Sequence, residues 1–483
     1  MIFKFEKNKG RKMKIVIVSI GTRGDVQPCL VLGLALRSRG HEVVMATEAR
    51  LRPLVDEMAQ SSSSAAATVP RDDDDGGFEA PPPLSWRLIE GDETGIIDQP
   101  GIQEMLAEGK VMKMMRASAE WKKKFDASAI MKSYVSALEG ADIVVAGPLC
   151  LTIAMCVAEK MGCGFATIIP GPTLPTSEFP LWLVPVPCSC MNRWTYRVLF
   201  DALWRQERKR INEFRKRELD LPPMSTGPLA TLERYGFPCI VASSHVTCGP
   251  KMVVPSDYPP YAIMGGFIFP PDDAIDLDNR LVDFVESSSS SNKPIVYLGW
   301  GSMPAPDPVR LIELARGLCD AASCRGVLVA GWSNLLDPTN ARCANAIEEA
   351  SRGEVLFVTK SVRHSWLLPR CAALTHHCGI GTCAAALRAG IPQIACPVMV
   401  DQPHNARLLK RLGVVAGIVP FGKLSVERLL PPLKRILDED GNGPLCDAAR
   451  DLANMIGKES EGNLDRYADA VEGASRFPLP NGI

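Results

Sequence analysis

The residues best suited to chemistry lie between Thr375 and Val414, in THHCGIGTCAAALRAGIPQIACPVMVDQPHNARLLKRLGV. An apolar strand there runs into a glycine-rich turn, and a helix opens near Thr382. The first N–H groups of a helix have no carbonyl to bond and carry partial positive charge, so such a turn is a ready site for a diphosphate. Gly379 and Gly381 let the backbone approach phosphate oxygens without a Cβ in the way. His377, next to them, can donate to a phosphate oxygen. Asp401 and Gln402 follow 24 residues after His377, past the next strand. A carboxylate beside an amide offers both acceptors and donors, which suits the hydroxyls of a sugar. A second candidate carboxylate, Asp25, stands in GTRGDVQP after the first strand, where an aspartate can also simply cap a helix.

The elements that hold these residues read as repeated strand–turn–helix units. From Lys14 the run IVIVSI is apolar on both faces, as a strand buried inside a parallel sheet has to be. A glycine turn follows, then helical spacing from Pro28 to Arg39 and a second strand from Glu42 to Ala46. The pattern recurs at 141–147 and 164–170, and restarts at KPIVYLGWGSM (293–303). Further strands are expected at 326–331, 354–359, 371–377 and 391–397. Two series with a restart imply two doubly wound domains in tandem. A Pro/Gly/Ser-rich stretch at 246–292 reads as their connection, and the SSSSAAA, DDDD and PPP runs within 60–83 read as a disordered surface insertion.

Composition narrows the partners. With 54 basic and 55 acidic side chains the net charge is -1, so no global field attracts nucleic acid. The chain has no apolar run of the roughly 18–20 residues that a membrane span needs, and the first twelve residues lack a signal-peptide core. A soluble, cytoplasmic protein is expected. The 16 cysteines are scattered through apolar segments and read as reduced, buried side chains, and Cys188 and Cys190 have no partner pair for zinc. The run Asp72–Asp75 reads as a solvated loop rather than a metal site.

The segment 375–414 resembles the donor-binding signature of the UDP-glycosyltransferase superfamily, in the branch of sterol 3β-glucosyltransferases and glycopeptide-antibiotic glycosyltransferases. The same branch is matched by IGTRGDVQPCLVLGLALRSRGHEV (20–43), VYLGWGSMP (296–304) and SWLLPRCAAL (365–374), in the family's order. The resemblance implies an α/β protein of GT-B fold: two facing Rossmann-like domains with parallel sheets and a cleft between them. It places an acceptor-binding domain at 13–245, a nucleotide-sugar domain at 293–458, and a helix at 459–476 that returns to the first domain. Carried over by position, Asp25 is the general base, and Gly21, Thr22, Arg23 and Gly24 shape its turn or approach the phosphates. Ser302, His377, Gly379, Gly381 and Thr382 hold the diphosphate, Asp401 and Gln402 the sugar, and the stretch ending at Val362 the base. Cys378 and Ala385 depart from the pattern, the latter standing where plant members carry a ribose-binding Glu.

The implied reaction is inverting transfer of a hexose, glucose, from UDP-glucose to a hydroxyl of a lipophilic acceptor such as a sterol. The UDP-sugar is a co-substrate, and neither a metal nor a cofactor is called for. Phe179, Trp182 and Leu183 are candidates to line the acceptor pocket, and the basic run Arg205–Arg217 reads as a solvated face or a peripheral membrane contact. A monomer is expected. The alternatives are a GT-B nucleotide-sugar epimerase and a catalytically inactive sugar-nucleotide-binding relative. An NAD-dependent oxidoreductase is disfavoured, because Gly21 and Gly24 do not make G-x-G-x-x-G.

Overall fold

The computed structural model describes residues 11–67, 82–99, 101–107, 111–182, 188–271, 277–287, 293–301, 307–331, 334–336, 339–474 and 476–477. These form two compact units. One contains the chain up to Thr94, then Lys122–Ala274 and the segment from Glu459; the other contains Gly95–Trp121 and Ile275–Lys458.

The first unit is built on a seven-stranded sheet of β1 (Lys14–Val18), β2 (Glu42–Thr47), β3 (Ser85–Leu88), β4 (Ile143–Ala146), β5 (Gly164–Ile169), β6 (Cys239–Val241) and β7 (Ala262–Met264). Its order is β3-β2-β1-β4-β5-β6-β7, and every pairing is parallel. The central strand β1 pairs with both neighbours, Ile15 lying opposite Val43 on one side and Ile143 on the other. Residues Ile15 to Val18 are completely buried, which is why this strand is apolar at every position rather than at alternate ones. Helix α1 (Arg23–Ser38) lies close on the sheet at Gly33, where a Cβ would come 3.2 Å from Ile17 and 3.3 Å from Val43. The long helix α2 (Asn192–Arg217) keeps most of its basic run exposed, but Arg215 turns inward onto Glu159 at 2.6 Å.

The second unit carries a six-stranded, wholly parallel sheet of β8 (Ile295–Gly299), β9 (Arg325–Val329), β10 (Leu356–Thr359), β11 (Ala373–His376), β12 (Gln393–Ala395) and β13 (Val415–Ile418). Its order is β10-β9-β8-β11-β12-β13. In both units the order reverses beside the first strand, at β1/β4 and at β8/β11. Such a reversal opens a crevice at the carboxyl ends of the strands.

Several expectations need correction. The insertion does not begin at residue 60: a helix runs from Arg52 to Ala67, so SSSSAAA continues an alanine- and serine-containing helix, while 68–81 lie outside the described residues. The stretch 246–292 is more than a connection, because it supplies the edge strand β7 and the helix Asn279–Glu286, which buries Leu281, Phe284 and Val285. The segment Gly95–Trp121 belongs with the second unit rather than the first, since Ile96, Ile97 and Ile102 cluster against Val398 and Met399. Cys188 and Cys190 are bonded to each other, and the other fourteen cysteines are buried and not in a disulfide. Among the described residues no helix is long and apolar enough to cross a membrane.

The helix Asn463–Glu472 packs on α1. Arg39 at the end of α1 reaches Asp465 and Asp469 at 2.7 Å and Glu472 at 3.0 Å. Tyr467 is fully buried, and its hydroxyl accepts from Gly265 N at 2.9 Å while donating to Gly266 O at 2.7 Å. Tyr467→Phe strands the Gly265 amide in a dry site and is expected to lower unfolding free energy by about 1–3 kcal/mol. Urea unfolding measures this; an unchanged midpoint would mean the helix does not hold the loop in this way.

Candidate functional site

The turn after β1 is shaped by a capping box. Thr22 is extended at the N-cap of α1, and its carbonyl accepts from Asp25 N at 3.0 Å and Val26 N at 3.2 Å. In return Asp25 Oδ2 accepts from Thr22 N at 2.8 Å and from Thr22 Oγ1 at 2.9 Å. Gly21 has φ +119°, and a Cβ there would lie 2.7 Å from Asp25 Oδ2, so the turn admits only glycine at that position. Ser19, wholly buried, donates its hydroxyl to the Asp25 carbonyl at 3.1 Å. Asp25 thus does cap the helix, but the cap uses one oxygen. Among the described residues Oδ1 accepts no hydrogen bond.

Burial pushes the Asp25 carboxyl up from its ordinary range, against the two Thr22 hydrogen bonds that hold it down. A raised carboxylate is a stronger proton acceptor. Arg23 is half-buried and held below its usual value by burial, with Glu57 opposing. Gly24 is exposed and faces Thr22 Oγ1. The helix starts five residues before Pro28, because the cap at Thr22 nucleates it there and Pro28 falls inside.

The second turn follows β11. His376 is completely buried; its Nδ1 accepts from Cys378 N at 3.3 Å and its Nε2 lies 2.9 Å from Gln393 Oε1. That pairing requires the neutral Nε2–H tautomer, and burial brings the imidazole down to about 3. It is a structural histidine. His377 is also buried and is brought down to about 4, by burial first and His364 second. Its Nδ1 is buried with no hydrogen-bond partner among the described residues.

Glycines on two sides make room for the His377 ring. A Cβ on Gly301 (φ +62°) would come 2.5 Å from its Cε1, and one on Gly379 would overlap its Nε2. A Cβ on Gly331 (φ +57°) would collide with Gly301 O, while Gly331 N donates to Lys360 O at 3.1 Å. The turns after β8, β9, β10 and β11 therefore meet in one corner. Val362 contributes its side chain to the core there. Ser302 lies outside the described residues, next to Gly301.

Between His377 and Gly379, Cys378 is left-handed at φ +66°, which costs a non-glycine residue energy. The conformation is held by the Cys378 N–H, which donates to His376 Nδ1, and by Asn405 Nδ2, which donates to Cys378 O at 2.9 Å. Burial pushes its thiol up to about 12, so it is no nucleophile. Helix α3 (Ile380–Ala389) begins with Gly379 as N-cap and no capping side chain. The first intrahelical bond runs from Cys383 N to Gly379 O at 2.9 Å, which leaves the amides of Ile380, Gly381 and Thr382 without a helical carbonyl. A Cβ on Gly381 would meet nothing within 4 Å, so no packing demands glycine there.

Asp401 stands at the N-cap position of helix α4 (Gln402–Arg411) without a side-chain cap bond, and its Oδ2 accepts from Asn405 Nδ2 at 2.8 Å. Gln402 is buried and its Oε1 accepts from Val398 N at 2.9 Å and Met399 N at 3.3 Å. Its carbonyl closes the loop before it, a role that residue type alone did not reveal. Asn405 ties Asp401 to the Cys378 turn and was missed in the sequence; its one signal was the i, i+4 spacing from Asp401. Of the acceptor candidates, Phe179 is packed against Gly249, and Leu183 lies outside the described residues. No group of three His, Cys, Asp or Glu suited to a metal occurs among the described residues.

Comparisons with known proteins fall on these same turns. A model of the glycosyltransferase family 28 N-terminal domain matches residues 15–72, and one of the erythromycin biosynthesis protein CIII-like C-terminal domain matches 344–459. The chain is 31% identical over 460 residues to an O-mycaminosyltylonolide 6-deoxyallosyltransferase of Streptomyces fradiae, covering 92% of this chain and 94% of that enzyme. It is 28% identical to a sterol 3-beta-glucosyltransferase of Arabidopsis thaliana, covering 92% of this chain and 66% of the enzyme. A sterol 3-beta-glucosyltransferase of Candida albicans matches at 27%, with only 26% of its length covered. Among solved structures, the glycosyltransferase VinC in complex with dTDP aligns with TM-score 0.58 and 17% identity over 94% of this chain and 99% of VinC. The calicheamicin glycosyltransferase CalG4 aligns with TM-score 0.55 and 14% identity, over 96% and 98%.

The two histidines make a pH prediction. Folded, they stay neutral down to about 3 and about 4; unfolded, they take up protons below about 6.5. The unfolded chain therefore binds more protons in that window, and stability falls as pH drops from 6.5 toward 4. His376→Asn should flatten this acid slope, whatever it costs at neutral pH. Melting temperature against pH reads it; an identical slope in the variant would contradict the burial of a neutral His376.

Proposed function

Because the chain belongs to the UDP-glycosyltransferase superfamily, in the GT-B branch shared by sterol glucosyltransferases and antibiotic glycosyltransferases, it is a glycosyltransferase, and we propose that it transfers glucose from UDP-glucose to a hydroxyl of a lipophilic acceptor with inversion. The observation that supports the donor reading most is the pairing of an uncapped helix N-terminus with a neutral, buried imidazole whose Nδ1 is unpartnered. Neutral donors suit an anion that gains charge: as the anomeric C–O bond breaks, negative charge grows on the diphosphate, and oriented N–H groups stabilise it without reorganising. The amides of Ile380, Gly381 and Thr382 and the His377 ring take that role. Asp401, fixed by Asn405, and Gln402, fixed through its carbonyl, are assigned to the sugar hydroxyls.

The acceptor oxygen has to lose its proton as it attacks, and Asp25 Oδ1 is assigned as the acceptor of that proton. Oδ2, locked by Thr22, fixes the direction in which Oδ1 points. Attack opposite the leaving diphosphate inverts the anomeric centre, so an α-linked donor yields a β-glycoside. A sterol is the proposed acceptor. A macrolactone is the second candidate, because the Streptomyces fradiae relative is covered over 94% of its length.

Two outcomes are expected. Asp25→Asn keeps the cap but cannot take a proton, and turnover should fall by roughly 10²–10⁴-fold; near-normal turnover would move the base elsewhere. With purified protein, UDP-glucose and a sterol or macrolide panel, the rate should survive a chelator. Complete loss, restored by manganese, would mean that a metal rather than the N–H donors carries the leaving-group charge.

A further inference from the structure

Asn405 stands in the first turns of α4, four residues after Asp401 and so on the same face of the helix. It is 6% exposed, and an amide buried that deeply has to find its partners within the protein. Its Nδ2 donates to Asp401 Oδ2 at 2.8 Å and to Cys378 O at 2.9 Å, which uses both of its hydrogens. A carboxylate and a backbone carbonyl both accept, so the amide nitrogen rather than its oxygen has to face them. An aspartate here would set oxygen against oxygen twice. The two acceptors belong to different turns, one after β11 and one after β12, which are neighbours in the sheet.

Each acceptor lies where direction matters. The Cys378 carbonyl shares its peptide with the Gly379 N–H, and in a planar trans peptide the two point opposite ways. Holding the carbonyl on Asn405 therefore aims the Gly379 N–H away from it. Cys378 at φ +66° stays left-handed only under restraint; His376 Nδ1 holds its N–H and Asn405 holds its carbonyl. On the other side, Asp401 makes no cap bond to its own helix, and Asn405 sets the direction of its Oδ2 instead. We propose that Asn405 is a positioning residue for the donor: one amide ties the carboxylate assigned to the sugar to the turn assigned to the diphosphate, so that both ends of the nucleotide sugar are held by a single rigid unit. The proposal rests on those two assignments. With no hydrogen left on Nδ2 for a substrate, Asn405 acts through Asp401 and Cys378.

The test compares Asn405→Ala, Asn405→Asp and Asp401→Asn in the full chain, with UDP and UDP-glucose as ligands. UDP carries no sugar, so its affinity reads the diphosphate turn, while the ratio of UDP-glucose to UDP affinity reads the sugar side. Asn405→Ala should weaken UDP by about tenfold, the cost of one misaimed hydrogen bond to a charged group, and should lower the ratio as well. Hydrogen exchange of the Cys378 and Cys383 amides, both bonded within the turn, should quicken. Asn405→Asp keeps the size, loses both donors and should be impaired at least as much. Asp401→Asn should lower the ratio and leave UDP affinity as it is. An asparagine that only stabilises the fold would lower melting temperature and leave both affinities and the exchange of the turn at wild-type values, which overturns the proposal. A lowered ratio with UDP affinity intact in Asn405→Ala overturns it too, because the link to the diphosphate turn would then carry nothing. If Asn405→Ala does not fold, wild-type affinities in Asn405→Asp overturn it equally. An unchanged ratio in Asp401→Asn would instead remove the sugar assignment itself, and is told apart by being read in a different variant.

Discussion

A helix begins with amides that have no carbonyl to bond, and the two turns of this protein meet that demand in opposite ways. At α1 the demand is met from within: Thr22 and Asp25 exchange hydrogen bonds, and the carboxylate is fixed by the act of capping. At α3 no side chain caps the helix start at Gly379, and the amides of Ile380, Gly381 and Thr382 are left without a helical carbonyl. In the proposed reaction one helix start positions a proton acceptor, and the other presents donors to an anion. Parallel strands impose this arrangement, because every strand's carboxyl end leads into a helix's amino end.

Room for that chemistry comes from missing side chains and from one strained residue. His377 fits only because Gly301 and Gly379 lack Cβ atoms, and Gly301 in turn tolerates Gly331 at backbone distance. Cys378 accepts a left-handed conformation that His376 and Asn405 over-determine from both sides. Strain held by its surroundings in this manner is a mark of a functional turn. Burial then tunes the groups: it raises Asp25 and lowers His377, so that one takes protons more readily and the other stays neutral.

The sheets were legible because strands buried on both faces leave continuous apolar runs, as in KIVIV and IVYLG. The glycine turn proposed for the diphosphate stood out in the sequence because glycines, a histidine and a helix start fall together. What the sequence concealed was mostly carried by backbone. Helix α1 begins at Arg23 rather than Pro28, since a reciprocal cap outweighs the first-turn preference of proline. Gln402 spends its carbonyl on two amides of its own loop, and no residue type announces a backbone partner. The helix through SSSSAAA was hidden by its composition, because low complexity reads as disorder even where alanine favours a helix. The packing of Ile96, Ile97 and Ile102 on Val398 and Met399 joins residues about 300 positions apart, which no local pattern can show.

In the proposed division of labour, His377 and the α3 amides bind the nucleotide, while Asp25 acts only on the acceptor's proton. Titration of UDP into His377→Ala and Asp25→Asn by calorimetry tests it most directly. Loss of a hydrogen bond to a charged group is worth about 1.5–3 kcal/mol, so His377→Ala should bind UDP roughly ten- to a hundredfold more weakly than wild type. Asp25→Asn should bind it as wild type does. Equal weakening in both variants, or none in His377→Ala, would contradict the assignment of the two turns.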